Sequence, residues 1–279
     1  MKAIKCELCG SNQLKKVDGE YICQYCGTKY TLEEARKLMV EIEGTVKIDT
    51  STQKNNYEKL AQRAYEDKLY EQAYEYYSKL LEIDCDNYMY IYKRGICAAW
   101  KSSLADFKID EAVKACKSAL KVIKEENIKV NDKERLCNNM AAEINNVVSA
   151  FYLLSKQHYE KFWTLENSAV EYWNQVIKCI ECEEYAIDLL KDYYKNNKKT
   201  YSTIIKNIIV FCVEICITRR YKAGVSQYGT NIYNNVSCSQ NTRKYLLDKY
   251  DKYVTILRKI EPKYVPPTIS RKPKTKRWF

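Results

Sequence analysis

Two short cysteine motifs near the start of the chain constrain its fold more than any other feature. Cys6-Glu7-Leu8-Cys9-Gly10 and Cys23-Gln24-Tyr25-Cys26-Gly27 both follow the pattern C-x-x-C-G, and residues 10–22 lie between Cys9 and Cys23. Each motif can form a tight turn whose backbone N–H groups face the sulfurs, and the glycine suits the positive φ of such a turn. Four thiolates from two such turns complete a tetrahedron. The sequence therefore predicts one zinc ion bound by Cys6, Cys9, Cys23 and Cys26.

The segment between the two motifs predicts a β-hairpin. Asp18-Gly19 lies among strand-like residues of segment 14–22, which is a strong signal for a two-residue turn. A closed shell of four cysteines leaves no open coordination position, so we expect the zinc to be structural rather than catalytic. Thioredoxin-like redox chemistry is the alternative interpretation of C-x-x-C, but it needs a βαβ context that this sequence does not suggest.

Residues 6–30 resemble the zinc ribbons of the transcription-factor-IIB type that head many bacterial and phage proteins of poorly defined function. The spacer between the motifs is somewhat shorter than in the eukaryotic factor, so polymerase binding does not follow from the resemblance. Residues 43–50 also resemble the segment that joins such ribbons to helical repeats. The resemblance implies a small zinc-dependent recognition surface in residues 1–30, and it does not choose between protein and nucleic acid.

A short helix and a linker are expected after the ribbon. Thr31-Leu32-Glu33-Glu34 has the form of a capping box, and Gly44 is suited to end the helix that follows. Residues 45–56 are polar and predict a linker. We therefore assign residues 31–56 to a short helix and linker between two domains.

From Tyr57 onward, small and aromatic residues recur as in a tetratricopeptide repeat. The matching positions are Ala61, Ala64, Ala73, Tyr77, Leu80 and Cys85. A second, irregular copy is indicated at Gly95, Ala98, Ala112, Cys116 and Ala119. Residues 200–221 and 241–260 predict further amphipathic helices, and Pro262 ends the last one.

These patterns predict a mainly α protein: a small N-terminal β zinc ribbon, then a tetratricopeptide-like α-solenoid or helical bundle over residues 57–261. Strand signals occur only near the start of the chain. The resemblance implies a concave surface that grips a protein or peptide. Tyrosines cluster in the first repeat, and we select Tyr70, Tyr74 and Tyr92 as candidate partner-binding residues, with ordinary helix packing as the alternative.

Residues 262–279 predict a disordered basic tail. The formal net charge is +11, and six positive charges lie in the last 17 residues, which leaves +5 (11 minus 6) for the rest. The tail could contact phosphates while Trp278 stacks on a base, could dock as a C-terminal peptide, or could simply be solvated. The candidate residues are Arg271, Lys272, Lys274, Lys276, Arg277 and Trp278.

Two further cysteine pairs and one histidine carry no clear chemistry. Cys179/Cys182 and Cys212/Cys216 lie in helical context, where buried thiols explain them better than a second metal site does. His158, the single histidine, has no partner nucleophile or carboxylate pair and is expected at the surface. With no nucleotide, acyl-transfer or hydrolase motif in the sequence, we expect a protein that is not an enzyme.

The sequence favours a cytoplasmic adaptor. Thirteen cysteines without a signal peptide fit a reducing compartment, and the most apolar window, residues 208–217, is too short to span a bilayer. The expected function is to bind a protein or peptide through the helical domain, with the ribbon as a second recognition surface. The alternative is a nucleic-acid-binding protein, in transcription or in phage–host conflict, that uses the ribbon and the basic tail.

Overall fold

The computed structural model describes residues 3–4, 6–11, 13–17, 19–37, 39–40, 51–125 and 128–272. Over those residues the protein is mainly α-helical with a small N-terminal β region. The chain divides into two compact units, Met1–Thr50 and Ser51–Phe279.

The described residues of the first unit form five short strands and one short helix. They are β1 (Ala3–Ile4), β2 (Leu14–Val17), β3 (Glu20–Cys23), β4 (Lys29–Tyr30), α1 (Leu32–Lys37) and β5 (Met39–Val40). Strands β2, β3 and β4 form an antiparallel sheet in that order, and β1 pairs with β5. The predicted hairpin is present, since Val17 pairs with Glu20 and Gly19 has φ +89°.

The predicted capping box at the start of α1 is also present. The Glu34 backbone N–H donates to Thr31 Oγ1 at 3.3 Å, and the Thr31 N–H donates to a Glu34 carboxylate oxygen at 2.8 Å. These two bonds satisfy backbone donors that the first turn of a helix leaves free. The helix therefore starts where the sequence indicates, directly after the sheet.

The second unit contains eight helices and one hairpin within the described residues. They are α2 (Ser51–Glu66), α3 (Tyr70–Ile83), α4 (Tyr88–Trp100), α5 (Ile109–Glu125), α6 (Val130–Phe162), α7 (Ser168–Leu190), α8 (Lys198–Cys216), β6 (Arg219–Val225), β7 (Asn231–Val236) and α9 (Gln240–Ile260). Each helix packs against the next along the chain, and the long α6 also contacts α4 and α8. No helix among the described residues has both the length and the apolar character needed to cross a membrane.

The positions that match the repeat pattern lie in the core, apart from Cys85, which is exposed. A small cluster between α2, α3 and α4 contains Ala61, Ala73 and Leu80, all 0% exposed. A larger cluster runs from α4 to α9 and includes Ala112, Cys116 and Ala119. The periodicity thus identified the buried faces of these helices.

The second unit begins earlier than predicted. Residues 51–56, assigned to the linker, form the first turns of α2. The side chains of residues 52–56 are polar because they are largely solvent-exposed, and Lys54 forms an ion pair with Asp84 at 2.7 Å. The predicted linker residues 45–50 lie outside the described residues.

The prediction of strands only near the start is wrong. The helix expected at 200–221 ends at Cys216, and β6 and β7 follow as an antiparallel hairpin. Its turn is closed by Ser226, whose hydroxyl accepts hydrogen bonds from the N–H groups of Tyr228 and Thr230, and Gly229 takes φ +78°. The hairpin packs on the end of α6, where Tyr233 stacks on Trp163 with ring centroids 5.8 Å apart.

The tail prediction is wrong for the part that the structure describes. Residues 264–272 lie against α8 and α9: Ile269 is 8% exposed, and the Tyr250 hydroxyl donates to the Pro267 carbonyl at 2.6 Å. The buried guanidinium of Arg243 donates to the Ser270 carbonyl at 2.5 Å. One apolar side chain and two buried donors are enough to hold this segment, although its composition is typical of a disordered tail. Residues 273–279 lie outside the described residues.

Candidate metal centre

The two cysteine motifs form turns with matching hydrogen bonds. In the first, the Gly10 N–H donates to the Cys6 carbonyl at 2.8 Å, and in the second the Gly27 N–H donates to the Cys23 carbonyl at 2.9 Å. Gly10 has φ +72° and Gly27 has φ +77°, a region that glycine enters without the strain a Cβ would add. The predicted role of both glycines is confirmed.

The turns bring four sulfurs together. The Sγ atoms of Cys6, Cys9, Cys23 and Cys26 all lie within 4.8 Å of one another. Two of the separations, Cys6 to Cys26 and Cys9 to Cys23, are 3.5 Å. A tetrahedral zinc site with bonds of about 2.3 Å places its sulfurs about 3.8 Å apart, so the cluster has the dimensions of a metal site. Within the described part of the chain, no other group of three or more potential ligands forms such a cluster.

Hydroxyl groups near the sulfurs favour thiolates. The Tyr30 hydroxyl lies 3.1 Å from Cys6 Sγ, and this hydrogen bond is the main cause that lowers the pKa of Cys6 to about 6. The Thr28 hydroxyl, 3.1 Å from Cys26 Sγ, lowers the pKa of that thiol in the same way. The backbone N–H of Ser11 acts to lower the pKa of Cys9, but desolvation and the neighbouring thiols outweigh it and raise that pKa to about 12. These shifts favour a thiolate at Cys6 and a protonated thiol at Cys9, and a cation bound to Cys9 would displace that proton.

Sequence reasoning missed the role of Tyr30. Its hydroxyl also accepts the Glu7 backbone N–H at 3.2 Å, so the ring ties the last strand of the sheet to the first cysteine turn. The side chain is 8% exposed. Tyr30 directly precedes the capping box, so it lies at the end of a strand. A side chain at that position can point back to the cysteine turns, and this was the signal that the sequence offered.

The tips of the two turns expose apolar side chains at equivalent positions. Leu8 precedes Cys9 and is 76% exposed, and Tyr25 precedes Cys26 and is 81% exposed. Neither side chain contributes to the small core of this unit, which consists of Cys6, Cys23, Tyr30 and Ala35 within the described residues. The centre thus presents two apolar tips that its own fold does not bury.

The three candidate tyrosines occupy different environments. Tyr92 is 1% exposed and belongs to the core, so it offers no surface to a partner. Tyr70 stacks on Trp100 with ring centroids 5.0 Å apart, and Tyr74 lies half-buried below the Lys101 ammonium, 4.6 Å from its ring centroid. Only Tyr70 and Tyr74 therefore keep ring surface available for contact.

A cleft that sequence analysis did not identify opens between α2, α3 and α4, with a volume of about 570 Å³. We call it the α2–α4 cleft. Its lining residues are Glu58, Gln62, Tyr65, Glu66, Tyr77, Met89, Tyr90 and Lys93. The spacing of Glu58, Gln62 and Tyr65 on one face of α2 was the signal that could have revealed it.

The described part of the basic tail is engaged within the protein. Arg271 forms a two-bond ion pair with Asp251, at 2.8 and 3.2 Å, and Lys272 is exposed. Lys274, Lys276, Arg277 and Trp278 lie outside the described residues. The structure therefore places one tail charge in an internal contact.

The remaining candidates lie where sequence analysis expected them. Cys179, Cys182, Cys212 and Cys216 are all buried. Burial raises the pKa of Cys182 and that of Cys212 to about 12, so both stay protonated thiols at neutral pH. His158 is exposed and packs on Phe162, with ring centroids 4.7 Å apart.

In comparisons with known proteins, no family model, no curated protein and no solved structure matches this chain.

Proposed function

We propose that this protein is a non-enzymatic adaptor in which the helical unit binds a protein or peptide and a zinc ribbon supplies a second recognition surface. The α2–α4 cleft is the observation that carries this proposal. Its volume of about 570 Å³ accommodates side chains of a peptide, and tyrosine rings form much of its wall. In this proposal helices α2 to α5 are the tetratricopeptide-like part of the fold.

The walls of the α2–α4 cleft are held in place before any partner arrives. The Tyr90 hydroxyl donates to the Glu58 carboxylate, and the Tyr65 hydroxyl donates to Glu143 at 2.6 Å. The Lys93 ammonium lies 3.9 Å from the centroid of the Tyr65 ring. Fixed aromatic walls reduce the entropy lost on binding, which supports a recognition role for this surface.

Zinc is the metal that best fits the four-cysteine cluster. Four thiolates in a tetrahedral arrangement favour a soft or borderline ion, and they leave no coordination position for water or substrate. The role is then structural: the metal holds the two turns so that Leu8 and Tyr25 stand exposed at their tips. We assign the second recognition surface to these two side chains.

The adaptor is tested by affinity capture of the tagged full-length protein from the cells that encode it, with and without nuclease. The cleft variant carries Gln62→Arg and Met89→Arg, which place two charges among the cleft walls. The control carries Asn56→Arg and Gln72→Arg at exposed positions outside the cleft, and so adds the same charge. We expect one stoichiometric protein partner that survives nuclease, is retained by the control and is lost from the cleft variant.

Two results would contradict this. Retention of the partner by the cleft variant would place the contact elsewhere, and alanine at Tyr70 and Tyr74 would then test the other exposed tyrosines. Loss of all recovered material on nuclease treatment would favour the nucleic-acid alternative. In that case binding should also weaken steeply as salt increases, because counterion release dominates the contact with phosphates.

The zinc assignment is tested by native mass spectrometry of the intact chain. We expect one zinc ion per chain and its loss in Cys9→Ser, because one of the four ligands is removed. Cys85→Ser is the matched control, since Cys85 is an exposed free thiol outside the cluster. Zinc at full occupancy in Cys9→Ser would show that the ligand assignment is wrong.

A further inference from the structure

A second cleft, rich in lysine, lies between α5, α6 and the end of α7. Its volume is about 490 Å³. We call it the α5–α7 cleft, and it shares no lining residue with the α2–α4 cleft. The lysines that line it are Lys117, Lys121, Lys124, Lys133 and Lys191.

The five lysines converge because of where they lie on their helices. Lys117, Lys121 and Lys124 follow one face of α5 at spacings of four and three residues. Lys133 lies near the start of α6, and Lys191 follows the last residue of α7. The short connections of the bundle bring these positions to one end of the second unit.

This positive charge is not neutralised within the described part of the chain. None of the five ammonium groups has a carboxylate within 4.0 Å there, whereas lysines elsewhere, such as Lys54 and Lys249, form ion pairs. Among the residues that the structure describes, two acidic ones, Asp188 and Asp192, line the cleft. The cleft therefore has a charge excess that suits an acidic ligand.

Aliphatic side chains and two tyrosines, Tyr185 and Tyr193, line the rest of the cleft. Leu120, Cys137 and Leu189 contribute aliphatic and thiol surface, and the Tyr185 ring lies beside them. Among the described residues the Tyr185 hydroxyl is buried and has no hydrogen-bond partner. The Lys117 ammonium lies 5.1 Å from the centroid of that ring. Because its hydroxyl is buried, Tyr185 offers a ligand its ring rather than a hydrogen bond.

We propose that the α5–α7 cleft binds an acidic peptide segment that carries a bulky apolar side chain. The apolar side chain packs on Leu120 and Leu189, and the flanking carboxylates face the lysines. The site extends beyond the function proposed above, because it is a separate surface with the opposite charge preference from the Glu58 and Glu66 rim of the α2–α4 cleft.

A peptide fits this cleft better than a nucleic acid does. A nucleic acid carries a charge on every phosphate, so some phosphates would face Asp188 and Asp192, whereas a peptide can place neutral side chains there. The apolar surface of Leu120 and Leu189 also has no counterpart in a phosphate backbone. The guanidinium groups that best match phosphates in a two-bond geometry are absent from the lining.

The test uses fluorescence anisotropy of the full-length protein with a short labelled peptide in which glutamates flank a Leu-Phe pair. Two comparison probes are the same peptide with glutamine in place of every glutamate and a labelled oligouridylate. The cleft variant is Lys121→Gln with Lys124→Gln and Lys133→Gln. Its matched control is Lys59→Gln with Lys161→Gln and Lys244→Gln, three exposed lysines outside the cleft, so both proteins lose the same charge.

We expect the glutamate peptide to bind, the cleft variant to weaken it by at least about tenfold, and the control to change it by less than about threefold. Equal affinity for the glutamine peptide, equal binding by cleft variant and control, tighter binding of oligouridylate, or no binding of the glutamate peptide would each overturn the proposal. These results do not depend on the partner recovered by affinity capture. The binding proposed for the α5–α7 cleft and that proposed for the α2–α4 cleft are therefore tested independently.

Discussion

Gly95 allows α4 and α5 to approach more closely than any larger residue would. A Cβ at this position would lie 2.1 Å from the Ala115 Cβ and 3.2 Å from the Glu111 carbonyl oxygen. The first distance is far below van der Waals contact, and neither neighbour is the mobile end of a long side chain. The small residue that the repeat pattern requires here therefore has a direct steric reason.

Gly95→Ala should lower the free energy of unfolding by about 1–3 kcal/mol, the usual cost of overpacking a core. This reverses the sign expected in an exposed helix, where alanine is favoured over glycine by about 1 kcal/mol. Urea unfolding measures the change. Gly95→Ala with Ala115→Gly should be more stable than Gly95→Ala alone, because it removes the shorter contact. A double variant as unstable as the sum of its single changes would contradict this steric explanation.

Glu183 is a carboxyl group placed inside the helical core. It is 0% exposed, and burial raises its pKa to about 8 although Asn207 donates a hydrogen bond to it at 3.3 Å. An unfolded glutamate has a pKa of about 4.3. Between these pH values the folded protein retains a proton on Glu183 that the unfolded chain releases. The contribution of Glu183 to the free energy of unfolding is therefore most favourable below about pH 4.3 and decreases as the pH rises to about 8.

Glu183→Gln should remove this loss, which is on the order of a few kcal/mol by pH 8. The measurement is urea unfolding of both proteins at several pH values from about 5 to 9. Other titrating groups are shared by the two proteins, so the difference between their stabilities isolates Glu183. That difference should grow in favour of the variant as pH rises and level off above about 8. A difference independent of pH would show that Glu183 does not titrate in this range.

At the scale of elements, the hairpin formed by β6 and β7 shows what local pattern cannot decide. Arg219 to Val225 follows α8 after two residues, and its charged residues do not alternate cleanly with apolar ones. The position of the hairpin is determined by contacts with residues far away in the sequence. The Lys222 N–H donates to the Thr164 carbonyl at 2.9 Å, and Tyr233 stacks on Trp163. Periodicity reports which face is apolar, but it does not report contacts made by residues far apart in the chain.

The segment after α9 allows a buried contact and an exposed ion pair to be compared directly. Ile269→Ala should cost about 2–4 kcal/mol, because it leaves a space in the core that α8 and α9 share with this segment. Arg271→Ala should cost less than about 1 kcal/mol, because the pair with Asp251 is largely exposed. Thermal unfolding of both variants measures the two effects. Equal costs would mean that the segment is held by charge rather than by burial.

At the scale of the whole molecule, sequence predicted the kind of each unit better than its internal arrangement. The cysteine spacing identified the four residues whose sulfurs lie close together, because that geometry depends on two local turns. The small residues of the repeat pattern identified buried helix faces. The pattern did not reveal that α6 would extend over 33 residues and contact both α4 and α8. The residues of an apolar helix face do not specify which other helices pack against it. The two clefts were missed for the same reason.

The division of the chain into two units predicts that metal removal acts on the first unit alone. Within the described residues the core of that unit contains only Cys6, Cys23, Tyr30 and Ala35. This small buried apolar surface is not enough to keep a domain of this size folded. We therefore expect metal binding and folding of the first unit to be one process. The helical unit has two larger clusters of its own. A chelator should therefore abolish backbone amide protection in residues 6–37 and leave protection in α3 to α9 unchanged.

Hydrogen exchange followed by mass spectrometry measures both units in one sample. Adding zinc after the chelator is removed should restore protection in residues 6–37, and Cys85→Ser should behave like the wild type throughout. The chelator should have no effect on Cys9→Ser, because that chain has already lost the metal. Protection of residues 6–37 that survives in the metal-free chain would mean that the sheet and its few buried side chains are sufficient. Loss of protection in the helices would mean that the two units do not fold independently.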